Sequence, residues 1–250
     1  GLNVVDDAGV ARLKDVSLSL RAGEILGIAG VAGNGQSELL EVLGGYQTAT
    51  GSVKVNGAAL DLTGADSDGQ SRRANGIAHV PEDRQREGLI MDFHAWENTA
   101  FGYHHDAQYQ RSKLFMDNAA IRKDTAEKMA RFDVRPPDPS LAAKSFSGGN
   151  QQKLVLAREI ERNPDLLLVG QPTRGVDIGA IEFIRERLLE QRQSGTGILL
   201  LSEDLDEITD LSDRILVIYE GEFVYETIPA KADRDRIGLE MTGGGPADTA

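Results

Sequence analysis

The sequence has 250 residues, 40% of them hydrophobic, enough for a buried core and too many for a disordered chain. It has no cysteine, which excludes a disulfide framework and a thiolate zinc site, and no apolar run near the roughly 18–20 residues that cross a bilayer. Lys and Arg number 27 against 40 Asp and Glu, a formal charge of −13, which argues against nucleic acid or anionic lipid as a general surface partner but leaves room for a phosphate site built from backbone N–H groups.

No basic segment followed by an apolar one opens the sequence, so no secretion signal is read. Residues 14–20 alternate polar and apolar, the period of a half-buried strand. Residues 24–30 (EILGIAG) form an apolar run of strand length, Gly33 and Gly35 punctuate the chain beyond it, and 37–43 carry helical spacing. Residues 51–57 alternate again, 65–75 are polar and loop-like, and 77–80 predict a strand ended by Pro81. From Asp92 to Arg135 the aromatics concentrate, with helical patterns at 96–103 and 118–132 and a stiff exit at Pro136, Pro137 and Pro139. The last third alternates strand (165–170, 197–202, 214–219) with helix (178–193, 204–211), and 222–227 closes a hairpin through Glu220 and Gly221. Strands alternating with helices predict a mainly parallel sheet covered on both faces.

Residues 30–37 (GVAGNGQS) match the phosphate-binding loop G-x-x-x-x-G-K-[ST] at every position but one. Gly30, Gly33 and Gly35 free the backbone to aim N–H groups at phosphate, with Asn34 between them, and the adjoining helix adds its positive end. Ser37 stands where a hydroxyl binds Mg²⁺. Gln36 replaces the lysine, and the charged hydrogen bond so lost contributes about 1.5–3 kcal/mol. Glu38 would repel a phosphate charge about 5 Å away by roughly 3 kcal/mol at an effective dielectric near 20. Read alone, the same residues serve equally as a ligand-free glycine turn, whose helix end Glu38 would stabilise.

Ser147, Gly148, Gly149, Asn150 and Gln151 precede a helical pattern at 153–162. Ser147 can cap that helix and the glycines leave amides exposed, although an ordinary capped helix reads the same way. The order of the downstream segments is more informative. Asn163, Pro164 and Asp165 lead into the strand 166–170, then come QPTRGVD at 171–177, a helix, a strand and SEDLD at 202–206.

In this order the sequence resembles the ATP-binding cassette (ABC) ATPases over essentially its whole length. Residues 147–151 resemble the family signature, with Phe146 for its leading Leu. Residues 170–177 resemble the Walker B and D-loop block. Residues 79–84 (HVPEDR) and 88–89 resemble a stretch of importers for simple sugars and nucleosides. Residues 30–39 resemble the second cassette of their tandem ATPase subunits. The resemblance implies an α/β fold: a P-loop ATPase core with a parallel sheet (1–81 and 163–240), an N-terminal antiparallel β element, a helical signature subdomain (82–162) and a disordered tail (241–250).

It also implies departures. Gly170 stands at the Mg²⁺-supporting Asp, Gln171 at the catalytic Glu, Glu203 at the switch His and Glu82 at the Q-loop Gln. No aromatic residue precedes Tyr46 for adenine stacking, whereas Ser37, the signature and the D-loop Asp177 are retained. In the family ATP lies between two cassettes, the loop of one facing the signature of the other. The expectation is a chain whose own ATP site, with Ser37 and Glu82 as the Mg²⁺ contacts, binds ATP and Mg²⁺ weakly or not at all and is inactive in hydrolysis. Its residues 147–151 and Asp177 would complete the partner cassette's site. The implied partners are a second cassette in the same natural chain, membrane permease subunits and, indirectly, a periplasmic or lipid-anchored solute-binding protein. No nucleic acid is expected, and the implied location is the cytoplasmic face of the membrane. A nucleotide-binding regulatory module and a soluble ABC-type protein acting on nucleic acid or ribosomes are the competing readings. No basic arm supports the latter. His104, His105 and Asp106 lack a further ligand at metal spacing, and Met91, Phe93 and Trp96 read mostly as core, with Arg84, Arg86 and Glu87 on an edge that docks a permease.

Overall fold

A computed structural model describes residues 1–64, 66–112 and 114–245. Two compact units emerge. The first comprises Gly1–His79, Pro164–Gln171 and Leu188–Ala250, the second Val80–Asn163 and Pro172–Arg187.

The first unit opens with an antiparallel pair, β1 (Leu2–Val5) and β2 (Ala11–Val16). Next come β3 (Ile25–Ala29), α1 (Gln36–Gly44), the short pair β4 (Lys54–Val55) and β5 (Ala58–Ala59), α2 (Gly69–Ala74) and β6 (Ile77–Val80). β3 is buried along its whole length, as the unbroken apolar run of a two-side-covered strand requires. The strand expected over 14–20 instead runs Ala11–Val16, the stretch that pairs with β1 from Val5 opposite Ala11 to Leu2 opposite Val16, and residues 17–20 lie beyond that pairing.

In the second unit a π-type turn at Arg84–Gly88 leads to α3 (Ala95–Ala100), the hairpin β7 (Gln110–Ser112) and β8 (Phe115–Met116), α4 (Asn118–Arg131) and α5 (Gly148–Ile160). Trp96, Ala100, Tyr103, Tyr109 and Ile121 form a hydrophobic core cluster in it, so Trp96 is core as expected while Phe93 is exposed. The Arg122 guanidinium lies over the Trp96 ring, 4.4 Å from its centroid.

The chain then supplies β9 (Leu166–Gly170), α6 (Ile178–Gln193), β10 (Gly197–Ser202), α7 (Leu205–Leu211), β11 (Arg214–Tyr219), β12 (Glu222–Thr227) and α8 (Arg234–Glu240). The division between units falls within α6. The six-stranded sheet runs β12-β11-β3-β10-β9-β6, with β3, β9, β10 and β11 mutually parallel and β12 antiparallel to β11. This is the expected α/β arrangement. Residues 246–250 of the expected loose tail lie outside the described residues, but Met241 is buried and hydrogen-bonded.

Candidate functional site

Register brings three segments to one sheet edge. Ser202 pairs with Ala29 and Leu201 with Gly170, so the glycine loop after β3, Glu203 after β10 and Gln171 after β9 all leave from the carboxyl ends of neighbouring parallel strands. Ligands of open α/β sheets bind at such edges.

Gly33 and Gly35 take the left-handed conformation, at φ 90° and 106°. A Cβ on Gly33 would meet nothing within 4 Å, so the loop is open there. One on Gly35 would lie 2.8 Å from the Arg12 carbonyl oxygen and 2.9 Å from Leu13 Cδ2. Gly35 is also the N-cap of α1 and offers no side-chain acceptor, so the first amides of the helix stay available to an anion. Gln36 is only 5% exposed, and its amide folds back against Gly30, where any Cβ would collide with it.

Asn34 is a structural residue of this loop. Its Oδ1 accepts from the Glu220 amide at 3.2 Å, its Nδ2 donates to the Met241 carbonyl at 3.2 Å, and its own carbonyl accepts from the Gly221 amide at 3.0 Å. Glu38 is less repulsive than its position suggests. Arg12 Nε lies 4.0 Å from its carboxylate and 2.8 Å from Asp6, so a guanidinium that sequence spacing could not place stands beside the helix N-terminus. Tyr46 lies beyond the far end of α1, roughly 13 Å along a nine-residue helix from the loop, and packs against His79 with ring centroids 5.3 Å apart.

Gln171 is held at φ 46°, and its Oε1 accepts from the Glu203 amide at 3.3 Å. The structure thus joins Gln171 and Glu203 directly. The loop amides fit phosphate. The donor set for Mg²⁺ is poorer, since Ser37 supplies a hydroxyl, Gly170 and Gln171 supply no carboxylate, and no group of three His, Asp or Glu side chains is placed for a metal among the described residues. Glu82, half-buried, belongs to the second unit.

In that unit Ser147 caps α5, with Oγ accepting from the Asn150 amide and from Asn150 Nδ2 at 2.9 Å. Asn150 Oδ1 accepts from the Arg135 amide at 2.7 Å. Gln151 is buried. Its Nε2 donates to the carbonyls of Ala143 and Phe146, and its Oε1 accepts from Gln85. Ser147 is therefore the exposed side chain of the motif, and Gln151 braces the loop that precedes it. The glycines are sterically required. A Cβ on Gly148 would lie 2.6 Å from Arg84 Nη2, and one on Gly149 would lie 2.8 Å from Asp177 Oδ2 and from Ala180 Cβ. Asp177 Oδ1 caps α6 by accepting from the Ala180 amide at 2.9 Å. Arg84, expected on a docking edge, turns inward to the carbonyls of Arg174 and Gly175, while Arg86 and Glu87 remain exposed.

The family described as ABC transporter matches residues 13–174. The chain is 51% identical to the glucose import ATP-binding protein TsgD13 of Haloferax volcanii, over 98% of this chain and 44% of that protein. It is 43% identical to the guanosine import ATP-binding protein NupO of Bacillus subtilis, over 97% of this chain and 47% of that protein. The chain thus spans less than half the length of these relatives. A dimeric ATP-binding cassette in a post-hydrolysis state, bound to ADP and Pi, has the same fold, with a TM-score of 0.75 at 22% identity over 92% of this chain and 99% of that one. A glycine loop at the carboxyl edge of a parallel sheet, an S-G-G-capped helix in a separate helical unit and a family match over more than half the length converge: the chain belongs to the ABC transporter family, as an ATPase domain.

Proposed function

We propose that this chain is the second, degenerate nucleotide-binding half of a tandem ATPase that drives import of a nucleoside or a simple sugar from the cytoplasmic face of the membrane. The relatives named for glucose and guanosine import support the solute class. One observation carries the division of labour. Gln36, Gly170, Gln171 and Glu203 all lie in the first unit, and the intact signature and Asp177 lie in the second. The first unit would hold a phosphate weakly, through loop amides without the lysine charge. The second unit would complete the partner cassette's site, where hydrolysis takes place, and closure of the two cassettes would be passed to permease subunits.

The test is substrate-dependent ATPase activity of the full complex in membranes. Ser147→Arg is expected to abolish it by placing a bulky cation at the exposed end of the signature. Gln36→Ala is expected to keep most of it. Equal losses in the two variants refute the division.

A further inference from the structure

Arg84 belongs to the Val80–Asn163 segment, yet its guanidinium spans to a later segment of the same unit. Nη1 donates to the Arg174 carbonyl at 2.7 Å and Nη2 to the Gly175 carbonyl at 3.1 Å. These carbonyls belong to the turn at 174–177, where Gly175 is left-handed at φ 65° and Asp177 starts α6. The same Nη2 occupies the space that a Gly148 Cβ would need, and the Gly175 carbonyl lies 2.9 Å from that point. Gly149, one residue on, is packed as closely against Asp177 and Ala180. A planar fork that grips two successive carbonyls is a task for arginine, since lysine offers a single point donor.

We propose that Arg84 is the positioning residue that clamps the turn 174–177 against the signature glycines, so that Ser147 and Asp177 meet the partner cassette as one rigid surface. This rests on the reading that the signature serves the partner's site. Arg84 touches no nucleotide in this account. It acts through the turn and the α5 N-terminus. Burial pushes its guanidinium below the ordinary arginine range, and its Nε is buried with no hydrogen-bond partner among the described residues. An apolar side chain of similar length therefore removes a desolvated charge together with the clamp, and Arg84→Met should fold.

The experiment uses the full complex in membranes with Arg84→Met, Arg84→Lys and Ser147→Arg. Arg84→Met is expected to lower kcat roughly 10- to 100-fold, as a displaced contact does, and to leave KM for ATP within about twofold. Arg84→Lys, holding one carbonyl, should fall between the two. Hydrogen exchange on this chain provides the second readout: Arg84→Met should speed exchange at residues 174–178 and leave residues 30–37 unchanged. If Ser147→Arg is inactive while Arg84→Met keeps wild-type kcat, the clamp is refuted and the signature reading stands. If Ser147→Arg stays active, the signature reading falls. Unchanged exchange at 174–178 overturns the clamp whatever the activity.

Discussion

Gln36 shows what a single residue changes. The substitution is visible in the sequence, but the path of its side chain is not. The amide folds under the loop against Gly30, so the loop is filled from within by a neutral group. Gln36→Lys should restore a charged donor at the loop and tighten ATP binding about 10- to 100-fold, measured by titrating a fluorescent ATP analogue into the isolated chain. Unchanged affinity would mean that Glu38, and not the missing lysine, limits binding. The Arg12–Glu38 proximity was illegible in the sequence, because it depends on how β2 passes the loop. A second residue-scale consequence lies in the helical unit. Asp124 is partly buried, which alone would raise its pKa, but hydrogen bonds from Lys128 and Tyr109 more than offset this and hold it below the ordinary 3.8. Its contribution to stability is therefore complete above pH 3.8 and is lost as pH falls through the lower folded-state value. Thermal unfolding measured against pH should show a steeper acid decline for the wild type than for Asp124→Asn.

At the scale of elements, long periodic segments were legible and short paired ones were not. The pattern at 118–132 becomes α4, and the run at 165–170 becomes β9 within a residue. By contrast β1 has four residues, β7 three and β8 two, too few for a period to show, and each exists through its partner strand. The α5 start was legible as a cap, but the reason for two glycines was not, since it lies in distant segments that supply Arg84 against Gly148 and Asp177 against Gly149. α8 matters for a reason no local pattern carries. It precedes Met241, whose carbonyl accepts from Asn34 in the phosphate loop. Ending the chain after Asp233 removes this bond along with buried Ile237 and Met241. Exchange of the amides at 31–35 should accelerate and Tm should fall by about 5–15 °C. A loop protected as in the full chain would show that the Glu220 and Gly221 contacts suffice.

For the whole molecule, the division into two units gives the pattern of substitutions a physical location. Gln36, Gly170, Gln171 and Glu203 fall in one unit, while the signature residues, Asp177 and Glu82 fall in the other, and on the proposed reading the second unit serves the partner cassette. On the proposed reading, Gln171 replaces the carboxylate that polarises water and the working site needs a second cassette, so the chain should hydrolyse ATP negligibly as a purified, monodisperse domain. Robust turnover by the isolated chain would contradict this. The order in which the molecule is made bears on the same hydrogen bond that ties residue 34 to residue 241. The separation is 207 residues, roughly 10–40 s of ribosomal synthesis at about 5–20 residues per second. For that interval the nascent chain has its glycine loop but lacks the last tether that shapes it. The loop therefore reaches its final hydrogen-bonded form only after α8 has been made, however early its own residues emerge.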